Sequence, residues 1–112
     1  MERKRFSYDE FSDSLIISNK LGNDKAERNF EVGDIIFSLT REGKIASIEI
    51  RGASYFLESC NINPNILKNI KNIELNIIPK RGTLFLMLKI ESIEESHILT
   101  KVIPLVVPLL TH

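Results

Sequence analysis

Apolar and polar positions alternate with a period of two along most of this chain. Ile35, Phe37 and Leu39 interleave with Ile36, Ser38 and Thr40, the pattern of a half-buried strand. Arg41-Glu42-Gly43-Lys44 follows as a reversal, in which Gly43 can take the positive φ of a tight turn. Beyond it, Ala46, Ile48 and Ile50 alternate with Ser47, Glu49 and Arg51, so the two runs predict a hairpin. Upstream, Asp13-Ser14-Leu15-Ile16-Ile17-Ser18 is a short run of β-formers with Leu15 and Ile17 on one face. Phe30 and Val32 predict a further short strand before Gly33-Asp34, and Leu21-Gly22-Asn23-Asp24-Lys25 carries the residues of a loop.

The alternation breaks at Gly52-Ala53-Ser54. Residues 53–59 can form a short helix that Tyr55, Phe56 and Leu57 would pack on the sheet. Asn63-Pro64 predicts a second helix, with Asn as N-cap, Pro at the first helical position and Ile66, Leu67 and Ile70 on one stripe. Strands then return. Ile73, Leu75 and Ile77 alternate up to the turn Pro79-Lys80-Arg81-Gly82, and residues 97–103 read as a last strand. Between them, Thr83-Leu84-Phe85-Leu86-Met87-Leu88 is apolar on both faces, as in a central strand covered on both sides. Pro104 and Pro108 lack amide hydrogens, which places the final segment at a sheet edge or in an extended tail. The expected fold is α+β: a mainly antiparallel sheet of about six or seven strands with one or two short helices. A chain of 112 residues is expected to form one domain over 1–112 and to bury its own core.

Charge narrows the function classes. Fifteen Lys and Arg balance fifteen Asp and Glu, so no net field draws the chain to nucleic acid or an anionic membrane. The single cysteine, Cys60, excludes an internal disulfide and a cysteine-based zinc site, and it suits a reducing cytoplasm. The first ten residues lack the apolar stretch of a signal peptide, and the longest apolar run is broken by two prolines and too short to span a bilayer. A cytoplasmic location is expected.

Three groups could carry chemistry. Asp9, Glu10 and Asp13 are the densest carboxylates, and Asp9 with Asp13 could share a hard cation or act as an acid/base pair in a metal-dependent enzyme. The bland alternative is that Asp9 bonds nearby amides in a turn and Asp13 precedes a strand on its solvent side. Cys60 and His97 could pair as nucleophile and base, although neither has a local signature; His112 stands at the last position. Lys68, Lys71, Lys80 and Arg81, with Arg3-Lys4-Arg5, could form a basic face for nucleic acid, but aromatics to stack on bases are sparse. No phosphate-binding glycine loop is present, and no cofactor is implied.

Two separated blocks carry a resemblance. Tyr8-Asp9-x-x-x-Asp13-x-Leu15-x-Ile17, followed by Gly43-x-Ile45-x-x-Ile48-Glu49-Ile50-x-x-Ala53-Ser54-x-x-Leu57, resembles the YuzE-like small domain of unknown function over about residues 6–58. Residues 59–112 then read as an extension of one helix and three strands. The acidic strand-turn-strand linker of that family is replaced by Gly33-Asp34 and Arg41-Glu42-Gly43. The resemblance implies an α+β fold and no established activity. Some members are encoded beside small toxin-like proteins, which implies a partner-binding role.

The apolar surplus points the same way. Ile36, Ile45, Ile78, Phe85 and Met87 lie opposite the obvious core stripes, and Leu105-Val106-Val107-Pro108-Leu109-Leu110 adds more. Monomers rarely expose contiguous apolar patches above a few hundred Å². The expected function is therefore a non-enzymatic homo-oligomeric or partner-binding module, most simply a homodimer. Its interface would hold Phe85, Met87, Val106, Leu109 and Leu110.

Overall fold

The computed structural model describes residues 5–19, 25–93 and 96–104. Eight strands form two antiparallel sheets. The first sheet contains β1 (Phe6–Asp9), β2 (Ser14–Ser18), β3 (Arg28–Val32), β4 (Ile35–Leu39) and β5 (Ile45–Arg51), in the order β1-β2-β5-β4-β3. The second is a meander of β6 (Ile70–Lys80), β7 (Thr83–Ser92) and β8 (Ser96–Pro104). A helix, α1 (Ala53–Ser59), and a 3-10 helix, Pro64–Asn69, connect them. The α+β class and the antiparallel sheets are those expected, but β1 is an additional strand. Its four residues offer only Phe6 and Tyr8 to one face, too little alternation to stand out in the sequence.

Register follows the hydrophobic pattern. Leu15 and Ile17 on β2 lie opposite Ile50 and Ile48 on β5, and those two lie opposite Ile35 and Phe37 on β4. On β7, Leu84, Leu86, Leu88 and Ile90 are buried while Phe85, Met87, Lys89 and Glu91 are half-buried. The buried stripes of both sheets belong to one core, completed by Ala53 and Leu57 of α1 and by Ile62, Ile66 and Leu67. Phe30 stacks on Phe37 with ring centroids 4.7 Å apart, which draws β3 into that core.

Several expectations need correction. The second helix is a single 3-10 stretch: Asn63 caps it, its side chain accepting from the Asn65 N–H at 2.9 Å, but Ile70 already begins β6. A 3-10 helix has poor hydrogen-bond geometry and stays short, and a β-branched residue beside a waiting strand favours the sheet. Ile45 is not part of an outward surplus. The β4–β5 register skips Ala46, and Ile45 turns towards the core. Tyr55 does not pack α1 on the sheet but stands 75% exposed; Ala53 and Leu57 do the packing. β7 is covered on its Leu84–Leu86–Leu88 face, while its other face is only half-buried.

Candidate functional site

Alternation along β7 directs Phe85 and Met87 to the side of the second sheet away from the core. Antiparallel pairing sets Ile78 of β6 opposite Phe85 and Asn76 opposite Met87. Ile78 is 43% exposed, more than either residue of β7, so the three side chains form an apolar strip open on the β6 side. Lys80 Nζ stands 5.5 Å from the Phe85 ring centroid and closes one end of the strip by a cation–π contact. Lys89 and Glu91, with nitrogen and oxygen 3.9 Å apart, mark the other end. On β8, Val102 and Thr100 lie at the register positions opposite Phe85 and Met87. Val106, Leu109 and Leu110, expected in the same interface, lie outside the described residues, as do Arg3, Lys4 and His112.

The carboxylates of the β1–β2 turn are engaged by donors of the protein itself. Asp9 Oδ1 accepts from the Phe11 N–H at 3.0 Å and Oδ2 from the Ser12 hydroxyl at 2.8 Å, the local bonding of an Asx turn. These bonds hold its carboxyl below the usual range. Asp13 reaches much further. With φ at 54° it adopts the left-handed conformation that Asp tolerates better than most residues. Its Oδ1 accepts from the Tyr8 hydroxyl at 2.7 Å, and its Oδ2 from the Ser54 hydroxyl at 2.6 Å. The Ser54 N–H points at the same carboxylate, 3.1 Å from Oδ1, and the Asp13 carbonyl accepts the Ala53 N–H at 2.9 Å.

Asp13 therefore caps α1 from the β1–β2 turn. The helix begins after Gly52, whose φ of 66° turns the chain out of β5 but whose missing side chain cannot cap. Burial pushes the Asp13 carboxyl up, but the Ser54 and Tyr8 bonds outweigh it, and the group ends below the usual carboxylate range. Burial and the Asp13 bond push the Tyr8 hydroxyl up to about 12. Sequence reading set Asp13 on the solvent side of a strand and missed its partner, because Ser54 is 41 residues away. The only available signal was that Tyr8, Asp13, Ala53 and Ser54 all belong to the two-block pattern.

The other candidates are not assembled into a site. Among the described residues there is no group of three or more His, Cys, Asp or Glu placed to hold a metal ion. Cys60 is half-buried against the core with its sulfur 3.9 Å from the Ser59 hydroxyl, and His97 sits on β8 opposite Ile90. Lys68 pairs with Glu10 at 3.3 Å, Lys80 lies over the Phe85 ring, and Lys71 is exposed on β6, so one cation of the candidate basic face is engaged by a carboxylate and one by an aromatic ring. At one end of the sandwich, Phe30, Leu39, Ile45, Ile77 and Leu84 line an open cavity of about 290 Å³.

Residues 5–54 match the family model DUF2283, described as a protein of unknown function. The match spans β1 to β5 and ends at Ser54, the partner of Asp13 in α1. It covers a little under half of the chain. No curated protein and no solved structure matches. Among the described residues, no helix is long and apolar enough to cross a membrane.

Proposed function

We propose that this chain is a non-enzymatic binding module that pairs with a second copy of itself through the outer face of the three-stranded sheet. The observation that supports this reading is the strip of Ile78, Phe85 and Met87, which the core of the protein does not require. Burying such a strip removes apolar area from water at about 25 cal/mol per Å², the usual driving force of association. A two-fold axis is the simplest closed arrangement, since one self-complementary patch then serves both copies. In this reading the chain acts as one domain of 112 residues in the cytoplasm, and the kinship of its first half is with the YuzE-like domain.

Light scattering over a micromolar concentration series tests the pairing. Twice the mass of one chain is expected, falling to the single mass in Phe85→Glu. A monodisperse monomer at every concentration would sink the reading.

A further inference from the structure

The geometry points to a ligand site for a small anionic amphiphile, a straight-chain carboxylate, in the open cavity at the end of the sandwich. The site shares no residue with the strip of Ile78, Phe85 and Met87, so it does not depend on pairing. Leu39 ends β4, Ile45 begins β5 and Leu84 stands beside the start of β7, which sets the cavity between the turn ends of two hairpins. Leu39 and Leu84 are buried, while Phe30, Ile45 and Ile77 are half-buried against the core. Ile45 owes its place to the skipped residue. Ser38 faces Ser47, so a regular ladder would set Ala46 opposite Leu39, but the shift sets Ile45 there. Bulges gather at sheet edges and next to active sites, where they re-aim a side chain.

Size and charge choose the ligand. Packed interiors leave few voids larger than a water molecule, and this cavity of about 290 Å³ is many times that size. It stands near the lower limit of small-molecule pockets, about 300–1,000 Å³, so the ligand is small. Walls of aliphatic and aromatic carbon give water few partners, and a chain of methylenes gains by replacing it. Lys44 is the only ionisable residue among the described lining, and it is exposed. An ammonium carries three donors, so it can receive a carboxylate alongside any acceptor it already has. The tail then lies among Phe30, Ile45 and Ile77 with the carboxylate at Lys44. A cationic head would meet like charge there.

Methyl NMR of the full chain, labelled at isoleucine and methionine and titrated with sodium octanoate, tests the site. Saturable shifts are expected at Ile45 and Ile77, with Ile16 and Ile36 unmoved. Octanoate should bind about fifteenfold more tightly than hexanoate, from about fourfold for each buried methylene. Octyltrimethylammonium should not compete. Lys44→Gln should weaken octanoate about two- to fivefold, as the loss of an exposed ion pair does, and leave octanol unchanged. No shift at millimolar octanoate would overturn the site, and so would shifts confined to Ile78 and Met87, which would put the amphiphile on the outer strip. Equal binding of octanoate and octyltrimethylammonium, or no loss in Lys44→Gln, would overturn the anionic head group. A monomeric mass would end the pairing reading and leave these outcomes as they stand.

Discussion

On the outer face of the five-stranded sheet, Ile16 and Ile36 stand among Ser7, Ser38, Ser47, Glu49 and the Arg51–Glu31 ion pair, whose atoms are 2.9 Å apart. On the outer face of the three-stranded sheet, Ile78, Phe85 and Met87 are neighbours. The buried stripes of the two inner faces are alike, apolar and joined in one core. Folding therefore accounts for the inner faces and for the first outer face, where alternation leaves polar residues in water. It does not account for the second. An apolar strip that the core does not use contributes little to the stability of a single chain in water, and the pairing proposed above would give it a use.

The strongest test of this contrast begins inside. Phe37→Ala in the first sheet and Leu86→Ala in the second are each expected to cost about 2–5 kcal/mol, because both residues are fully buried. Each should unfold both sheets together. Denaturant titrations followed by far-ultraviolet circular dichroism and by the fluorescence of the two tyrosines, Tyr8 on β1 and Tyr55 on α1, should give coincident transitions. Separate transitions for the two sheets would mean that the core is divided.

A smaller effect is expected at the joint. Asp13→Asn should cost about 1–3 kcal/mol, the loss of a charge-assisted acceptor shared by Tyr8 and Ser54. The pH dependence has two arms of opposite sign. Asp13 is lowered on folding, so its contribution is complete above the ordinary carboxylate range and is lost as pH falls through the lowered value. Tyr8 is raised from 10.0 to about 12, so its contribution is complete below the ordinary value and is lost as pH climbs from there towards 12. In Asp13→Asn the acid arm of the melting temperatures should flatten, while the alkaline arm should only lessen, because burial is the larger cause of the Tyr8 shift. An unchanged acid arm would show that other carboxylates govern it.

The smallest effects on stability fall on the outer faces, and there the readout is mass. Phe85→Glu and Ile16→Glu should each leave the fold standing, with stability changes of about 1 kcal/mol or less. Only Phe85→Glu should alter the mass of the particle. If Ile16→Glu did so as well, or instead, the distinction between the two outer faces would fail.

Local chemistry made most of the fold legible. The β4–β5 hairpin is written in two alternating runs and Gly43, and α1 occupies the residues 53–59 that follow the break in the pattern. What escaped was non-local. The second helix shortened to a 3-10 stretch because the sheet claimed Ile70, a competition that no window around Asn63 reveals. Ile45 turned inwards through a skipped residue, Ala46, which no period-two reading anticipates. The candidate site divides in the same way. Phe85 and Met87 were legible as the outward face of an all-apolar strand, whereas the Asp13–Ser54 bond joins positions that only the finished fold brings together.

That bond has a kinetic consequence. Of the strand pairs described, all but one join chain neighbours; the exception is β2 with β5, which brings residues 14–18 back across β3 and β4 to residues 47–51. Among the described strand pairs, closing that span carries the largest chain-entropy cost, and nothing rewards it until both strands are in place. Asp13 and Ser54 sit just beyond the same two strands, so their bond latches that closure. Asp13→Asn is accordingly expected to slow refolding more than it speeds unfolding, a partition that stopped-flow measurements read from the two limbs of the chevron. During synthesis the five-stranded sheet emerges before the meander that covers it, and until β6 to β8 follow, the latch holds together a layer whose apolar side is still bare.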